Sequence, residues 1–105
     1  METFSTTQLK NQLGSFVMAK PITSNRSGNA VCNQYNLVYE NGRIMQSYNS
    51  LIGIYIDGKY YFSKKHDYSK TTSTHCSTWC GYGINERRKG LNNGRFGLLD
   101  SCSME

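Results

Sequence analysis

No stretch of this chain approaches the roughly 18 consecutive apolar residues of a membrane-spanning helix, so no membrane partner is expected. Residues 1–20 hold Lys10 and Lys20 but no uninterrupted apolar core, so no secretory signal is read there. A reducing cytoplasm is the expected compartment, with the four cysteines as thiols. No long-period repeat recurs, which excludes a repeat array. Catalytic and cofactor motifs are also missing, so neither an enzyme nor a cofactor is expected. Hydrophobic residues make up only 37% of the chain.

What is present suits one small domain spanning 1–105. A chain of 105 residues has room for a single core. It buries only about 60–70% of the surface its unfolded form exposes, which leaves little to spare for a deep cleft. Eight tyrosines and four phenylalanines supply aromatic area, and tyrosine can bury its ring while its hydroxyl stays wet. Charge is uneven. Residues 1–58 carry four basic and three acidic groups, whereas 59–95 carry eight basic groups against Asp67 and Glu86. A basic second half favours polyanionic or acidic partners.

Local patterns give an α+β fold: an antiparallel β-meander, two short helices on one face, and a C-terminal strand. Residues 1–27 are polar, and Thr7–Met18 is a candidate short helix, with Leu9, Leu13, Phe16 and Val17 on one side and Gly14 interrupting. Asn41-Gly42 and Asp57-Gly58 both read as two-residue hairpin turns, because Asn, Asp and Gly tolerate the positive φ such turns need. The first turn would set Tyr39 opposite Ile44 and Leu37 opposite Gln46. The second would set Ile54 opposite Tyr61, Tyr55 opposite Tyr60, and Gly53 opposite Phe62. Capping residues in Asp67–Thr72 open a helix over 71–80, with Cys76, Trp79 and Cys80 on one stripe. Asn85 would cap a second helix over 86–92, ended by Gly94. Arg95–Asp100 reads as a final strand.

Several of these pieces occur in a familiar order. Gly28-Asn29-Ala30-Val31 with Asn33-Gln34, then Met45-Gln46-Ser47-Tyr48-Asn49-Ser50, then Asp67-Tyr68-Ser69-Lys70-Thr71-Thr72, resemble an uncharacterised family of small bacteriophage and prophage proteins of gut and lactic-acid bacteria. Asn85-Glu86-Arg87-Arg88-Lys89 leading into Gly94-Arg95-Phe96 is similar too, so the resemblance covers about 28–100. Cys76, Cys80 and His75 depart from the pattern. The resemblance implies a phage context and no mechanism.

Each chemical constellation competes with a structural explanation. Cys76 and Cys80 lie one turn apart, where His66 or Cys102 could complete a zinc site, but they equally suit small core hydrophobes beside Trp79, and no metal is expected. Cys76 as a nucleophile lacks an oriented base, since His75 is its immediate helix neighbour. Asp67, Ser69, Thr71 and Thr72, preceded by Lys64 and Lys65, could hold an ion at a helix N-terminus; capping alone explains the same residues. If Ile52 and Ile54 face the helices, Tyr55, Tyr60 and Phe62 lie on the other face beside Lys64, as in proteins that stack single-stranded bases. Coverage of that face by residues 1–25 or by a second copy of the chain is the competing outcome, because exposed aromatics are costly.

The expected function is therefore a non-enzymatic binding protein contacting nucleic acid. Lys59, Lys64, Lys65, Lys70, Arg87, Arg88, Lys89 and Arg95 would neutralise phosphates, and Tyr55, Tyr60 and Phe62 would stack. The alternative is a stoichiometric anti-defence inhibitor, such as an anti-CRISPR protein, seated on a host nuclease or other host protein. A virion or assembly component is a third reading.

Overall fold

The computed structural model describes residues 2–24 and 27–105. The described residues form β1 (Thr3–Phe4), α1 (Thr6–Gln12), β2 (Phe16–Thr23), β3 (Ala30–Tyr39), β4 (Gly42–Ser47), β5 (Ser50–Ile56), β6 (Lys59–Phe62), α2 (Lys70–Cys80), α3 (Ile84–Asn93) and β7 (Gly97–Leu99), with a 3₁₀ segment at Lys64–Asp67. The strands make one sheet in the order β1-β7-β6-β5-β4-β3-β2. The expected meander is present as β3 to β6, but the sheet around it is mixed: β7 runs parallel to both β6 and β1. A parallel return needs a long crossover, and residues 63–96, carrying α2 and α3, supply it.

Turn chemistry fixes one hairpin as expected and not the other. Asp57 (φ 53°) and Gly58 (φ 76°) both take positive φ, pairing Ile56 with Lys59, Ile54 with Tyr61, Tyr55 with Tyr60 and Gly53 with Phe62. At the first hairpin the turn residues are Glu40 and Asn41, and Tyr39 pairs with Gly42, Leu37 with Ile44 and Tyr35 with Gln46. The register expected from Asn41-Gly42 is thus two residues off, a shift that leaves each side chain on its expected face. Gly42 serves packing instead: a Cβ there would sit 2.1 Å from the Tyr55 carbonyl oxygen and 2.7 Å from Leu13 Cδ2. The end of α1 holds this turn. Asn41 donates from its backbone to Leu13 O (2.9 Å) and from Nδ2 to Gln12 O (3.1 Å), and Ser15 N–H donates to Glu40 Oε1 (2.7 Å). That bond lowers the Glu40 carboxyl pKa.

The N-terminal expectation splits in two. Ser5 caps α1 by accepting from Gln8 N–H, and Gly14 (φ 78°) ends the helix early. The chain then extends as edge strand β2, so Leu9 and Leu13 are buried while Phe16 and Val17 are exposed. A bulge at Val17, together with Lys20 and Pro21, blunts this edge against further pairing. In α2, Ser69 accepts from Thr72 N–H (3.1 Å) and Gly81 (φ 82°) forms the C-cap. Gly83, not Asn85, precedes α3 and offers no side-chain cap; Gly94 (φ 85°) closes it.

The sheet carries an apolar cluster on each side. Cys76, Trp79 and Cys80 of α2 and Leu91 of α3 pack with Ile22, Met45, Ile52, Phe62 and Phe96, with Tyr55, Tyr60 and Tyr82 against them. Leu9 and Leu13 pack with Ile44, Leu51, Ile54, Ile56 and Leu99. Ile52 and Ile54 therefore do not share a face. Met45 opposes Gly53 and Gln46 opposes Leu51, which leaves Ile52 as the extra residue of a bulge and reverses the alternation there.

Candidate nucleic-acid interface

Of the three rings expected to stack on bases, one is buried in the core and two, Tyr55 and Tyr60, are half-buried against it. Phe62 is 0% exposed. Tyr60 is ringed by Phe62 (centroids 6.0 Å), Trp79 (5.4 Å), Tyr82 (5.9 Å) and Phe96 (6.3 Å). Tyr55 contacts Tyr60 at 4.5 Å. What these rings hold is the chain's own cation: the Arg43 guanidinium sits 4.7 Å from the Tyr55 centroid and 5.5 Å from Trp79, and donates to the Tyr60 hydroxyl. Burial raises the Tyr60 phenol pKa, against the pull of Arg43. The sequence holds a signal for this contact only in retrospect, through the cross-strand pairing of Arg43 with Tyr55.

Arg87 departs furthest from expectation. It is 0% exposed and bonds inward, so it contacts no phosphate. Nη1 donates to Ser77 Oγ (2.6 Å) and the Tyr82 carbonyl (2.7 Å), Nη2 to Ser73 Oγ (2.7 Å), and Nε to His66 Nδ1 (3.1 Å). The acceptor role of Nδ1 puts the imidazole proton on Nε2, 3.8 Å from Asp67 Oδ2. Burial, opposed by Asp67 and reinforced by Arg87 and Arg88, pushes the His66 pKa down to about 4. Arg88 is exposed but paired with Asp67 (3.1 Å). Three consecutive basic residues thus divide among core, ion pair and solvent, because successive positions point about 100° apart on a helix.

The remaining cations divide likewise. Lys59 Nζ lies over Phe4 (4.7 Å) and Tyr61 (5.3 Å). Arg95 lies over Tyr82 (4.7 Å) and Phe96 (5.1 Å). Lys64, Lys70 and Lys89 are exposed. Among the described residues the ion pairs are those of Asp67 with His66 and Arg88, so these lysines have no carboxylate partner.

Around Lys65 the fold builds a cavity of about 250 Å³ that sequence reasoning missed. The β4–β5 turn contributes Ser47, Tyr48 and Ser50, the 3₁₀ segment and the residue after it Lys65 and Tyr68, the start of α2 Ser69 and Thr72, and β5 the buried Ile52. Tyr48 is 63% exposed and Tyr68 74%. Tyr48 takes a left-handed conformation (φ 53°), held by its N–H donating to Asn33 O (2.7 Å) and by Gln46 Nε2 donating to its carbonyl (2.6 Å). A tyrosine in that region is strained, and such strain concentrates at working sites. Lys65 Nζ lies 5.0 Å from the Tyr68 ring centroid. On β3, opposite Ser47, the buried Gln34 Oε1 has no partner. The signal available in the sequence was the pair of segments Met45–Ser50 and Asp67–Thr72, which meet here.

The cysteine pair lies in the core, with Cys76 and Cys80 both buried. A hydrogen bond between the two free thiols holds Cys80 below the ordinary thiol pKa and, with burial, pushes Cys76 above it. Cys102, half-buried, and Cys32, exposed, are also free thiols. Among the described residues no three His, Cys, Asp or Glu side chains gather into a metal-binding group.

Fold and surface together define an α+β protein with a mixed seven-stranded sheet among its described residues, and no described helix is long and apolar enough to cross a membrane. The chain belongs to a family of unknown function, DUF8033, whose profile matches residues 17–93. That span holds β2 but for Phe16, β3 to β6, α2, α3 and both segments lining the Tyr48–Tyr68 cavity. No curated protein and no solved structure matches the chain significantly.

Proposed function

We propose that this is a non-catalytic, phage-type binding protein of the host-cell cytoplasm that contacts single-stranded nucleic acid. Tyr48 and Tyr68 stack on bases, and Lys64, Lys65 and Lys70 neutralise phosphates, with Lys89 extending the cationic surface. The observation that carries this reading is the company these groups keep: two largely exposed rings border one cavity with Lys65, while the exposed Lys64 and Lys70, its near neighbours in sequence, form no ion pair among the described residues. Rings on which bases stack, set among cations that track the backbone, are the usual means of holding single strands. The surface differs from the one expected from sequence, since Phe62 and Arg87 are buried and the half-buried Tyr55 and Tyr60 are engaged with Arg43 and the core rings. Retention of a fluorescent octanucleotide at low ionic strength, lost in a Tyr48→Ala/Tyr68→Ala double variant, is the expected result; no retention at any salt concentration would end the proposal.

One observation favours the anti-defence reading. Phe16, Val17 and Met18 are exposed together on edge strand β2, an apolar surface suited to a protein partner. Co-purification with a host nuclease that survives nuclease treatment, and is lost on Val17→Asp, would support inhibition of a host protein over nucleic-acid binding.

A further inference from the structure

The cavity beside Tyr48 and Tyr68 is chemically more specific than a cationic surface. Its volume of about 250 Å³ falls below the ~300–1,000 Å³ of pockets for drug-sized ligands, so it suits one compact ligand, part of which can project into solvent, rather than a long one. It combines an apolar contact at Ile52, two aromatic rings, one ammonium group at Lys65, and hydroxyls. Ser69 is occupied in capping, donating to Thr72 Oγ1 (3.1 Å) and accepting from Thr72 N–H. Ser47 and Ser50 carry no side-chain hydrogen bond among the described residues, leaving their hydroxyls to donate or accept. A purely apolar ligand would waste the lysine and hydroxyls, and a bare anion would leave the rings unused. A ligand that uses all three has a flat aromatic part, a hydroxyl-bearing part and a negative charge.

The geometry points to a site for one unpaired nucleotide, its base against Tyr48 and Tyr68, its sugar near Ser47 and Ser50, and its phosphate at Lys65. This rests on the nucleic-acid reading above and deepens it. The nucleotide can be free or part of a strand, and the chemistry is the same. The larger cavity, about 450 Å³ beside Glu2, Phe4 and Lys59, does not compete for the role, because the Glu2 carboxylate would repel a phosphate.

The test titrates adenosine 5′-monophosphate, adenosine and octaadenylate into the protein, following binding by calorimetry and by chemical-shift changes at Tyr48 and Tyr68. Stacking on one ring typically contributes enough that Tyr48→Ala or Tyr68→Ala should weaken binding about ten- to a hundredfold. Tyr68→Phe should stay close to the parent, because the ring rather than the hydroxyl does the stacking. Lys65→Ala should weaken the monophosphate and leave adenosine unchanged. Both tyrosines are exposed, and circular dichroism checks that the variants stay folded.

Monophosphate binding with these sensitivities supports a site for a free or strand-borne nucleotide. Octamer binding alone, with the same tyrosine sensitivity, supports the strand-borne source. Octamer binding indifferent to Tyr48→Ala and Tyr68→Ala, with no monophosphate binding, overturns the nucleotide site while leaving the basic-surface reading intact. Absence of binding by any of the three ligands overturns both.

Discussion

Replacing Arg87 with Met is the sharpest structural test, because the guanidinium is fully buried and bonded to neutral groups. In the native protein it satisfies Ser77 Oγ, the Tyr82 carbonyl, Ser73 Oγ and His66 Nδ1 at 2.6–3.1 Å, with longer bonds of 3.4 Å to the carbonyls of His66 and Ser73. No carboxylate touches it; Asp67 is occupied by Arg88. Methionine approximates the aliphatic stem and removes every donor. Each buried acceptor left unpaired costs about 1–3 kcal/mol, while removing a buried charge returns part of its desolvation penalty. Four close bonds lost against that gain give a net destabilisation of about 3–5 kcal/mol, a large share of the ~5–15 kcal/mol that holds a typical domain. Arg87→Lys should recover only part of this, because an ammonium has three donors where the site uses a planar fork. Urea denaturation of parent and both variants reads the values directly. An Arg87→Met midpoint and slope equivalent to a loss under about 1 kcal/mol would refute the idea that this arginine locks the 3₁₀ segment, α2 and α3 together.

His66 makes stability depend on pH. Its folded pKa of about 4 lies below the ordinary 6.5, so its contribution to stability is fully present above pH 6.5 and is lost as pH falls through about 4, because the unfolded chain takes up the proton first. Thermal melts across that window should show the slope, and His66→Gln should flatten it. Gly42→Ala places a Cβ 2.1 Å from the Tyr55 carbonyl oxygen and should cost more than about 2 kcal/mol in chemical denaturation, whereas Gly83→Ala, with nothing within 4 Å, should cost under about 1 kcal/mol. Iodoacetamide on the native protein should label Cys32 rapidly and leave Cys76 untouched until denaturant is added; equal labelling rates would contradict the packed position of α2.

What the sequence disclosed follows from how locally each feature is determined. Asp57-Gly58 set its own hairpin because positive φ at both residues is a property of the pair, and Ser69 through Thr72 opened α2 because the cap bonds are three residues apart. Gly42 carried the same turn chemistry, but the backbone of β5 and the Leu13 side chain claimed the space first, moving the turn to Glu40-Asn41. β1 and β7 are two and three residues long, too short for a period to show, and exist through parallel pairing with distant partners. Strand β2 shares apolar residues with a helical pattern that Gly14 ends early. At the site, alternation was applied through a bulge at Ile52, and a buried arginine looks like an exposed one in any composition count. Tyr48 and Tyr68 stood inside the two motif segments, yet only the folded chain brings them to one cavity.

The central claim is most directly tested by the salt dependence of octanucleotide binding, comparing the parent with a Lys64→Ala/Lys65→Ala/Lys70→Ala variant. Each phosphate neutralised on a single strand contributes about −0.7 to the slope of log affinity against log salt concentration, so the variant should lose about two units of slope and bind more weakly at low salt. Parallel slopes for the two proteins, or binding that ignores salt altogether, would contradict the account.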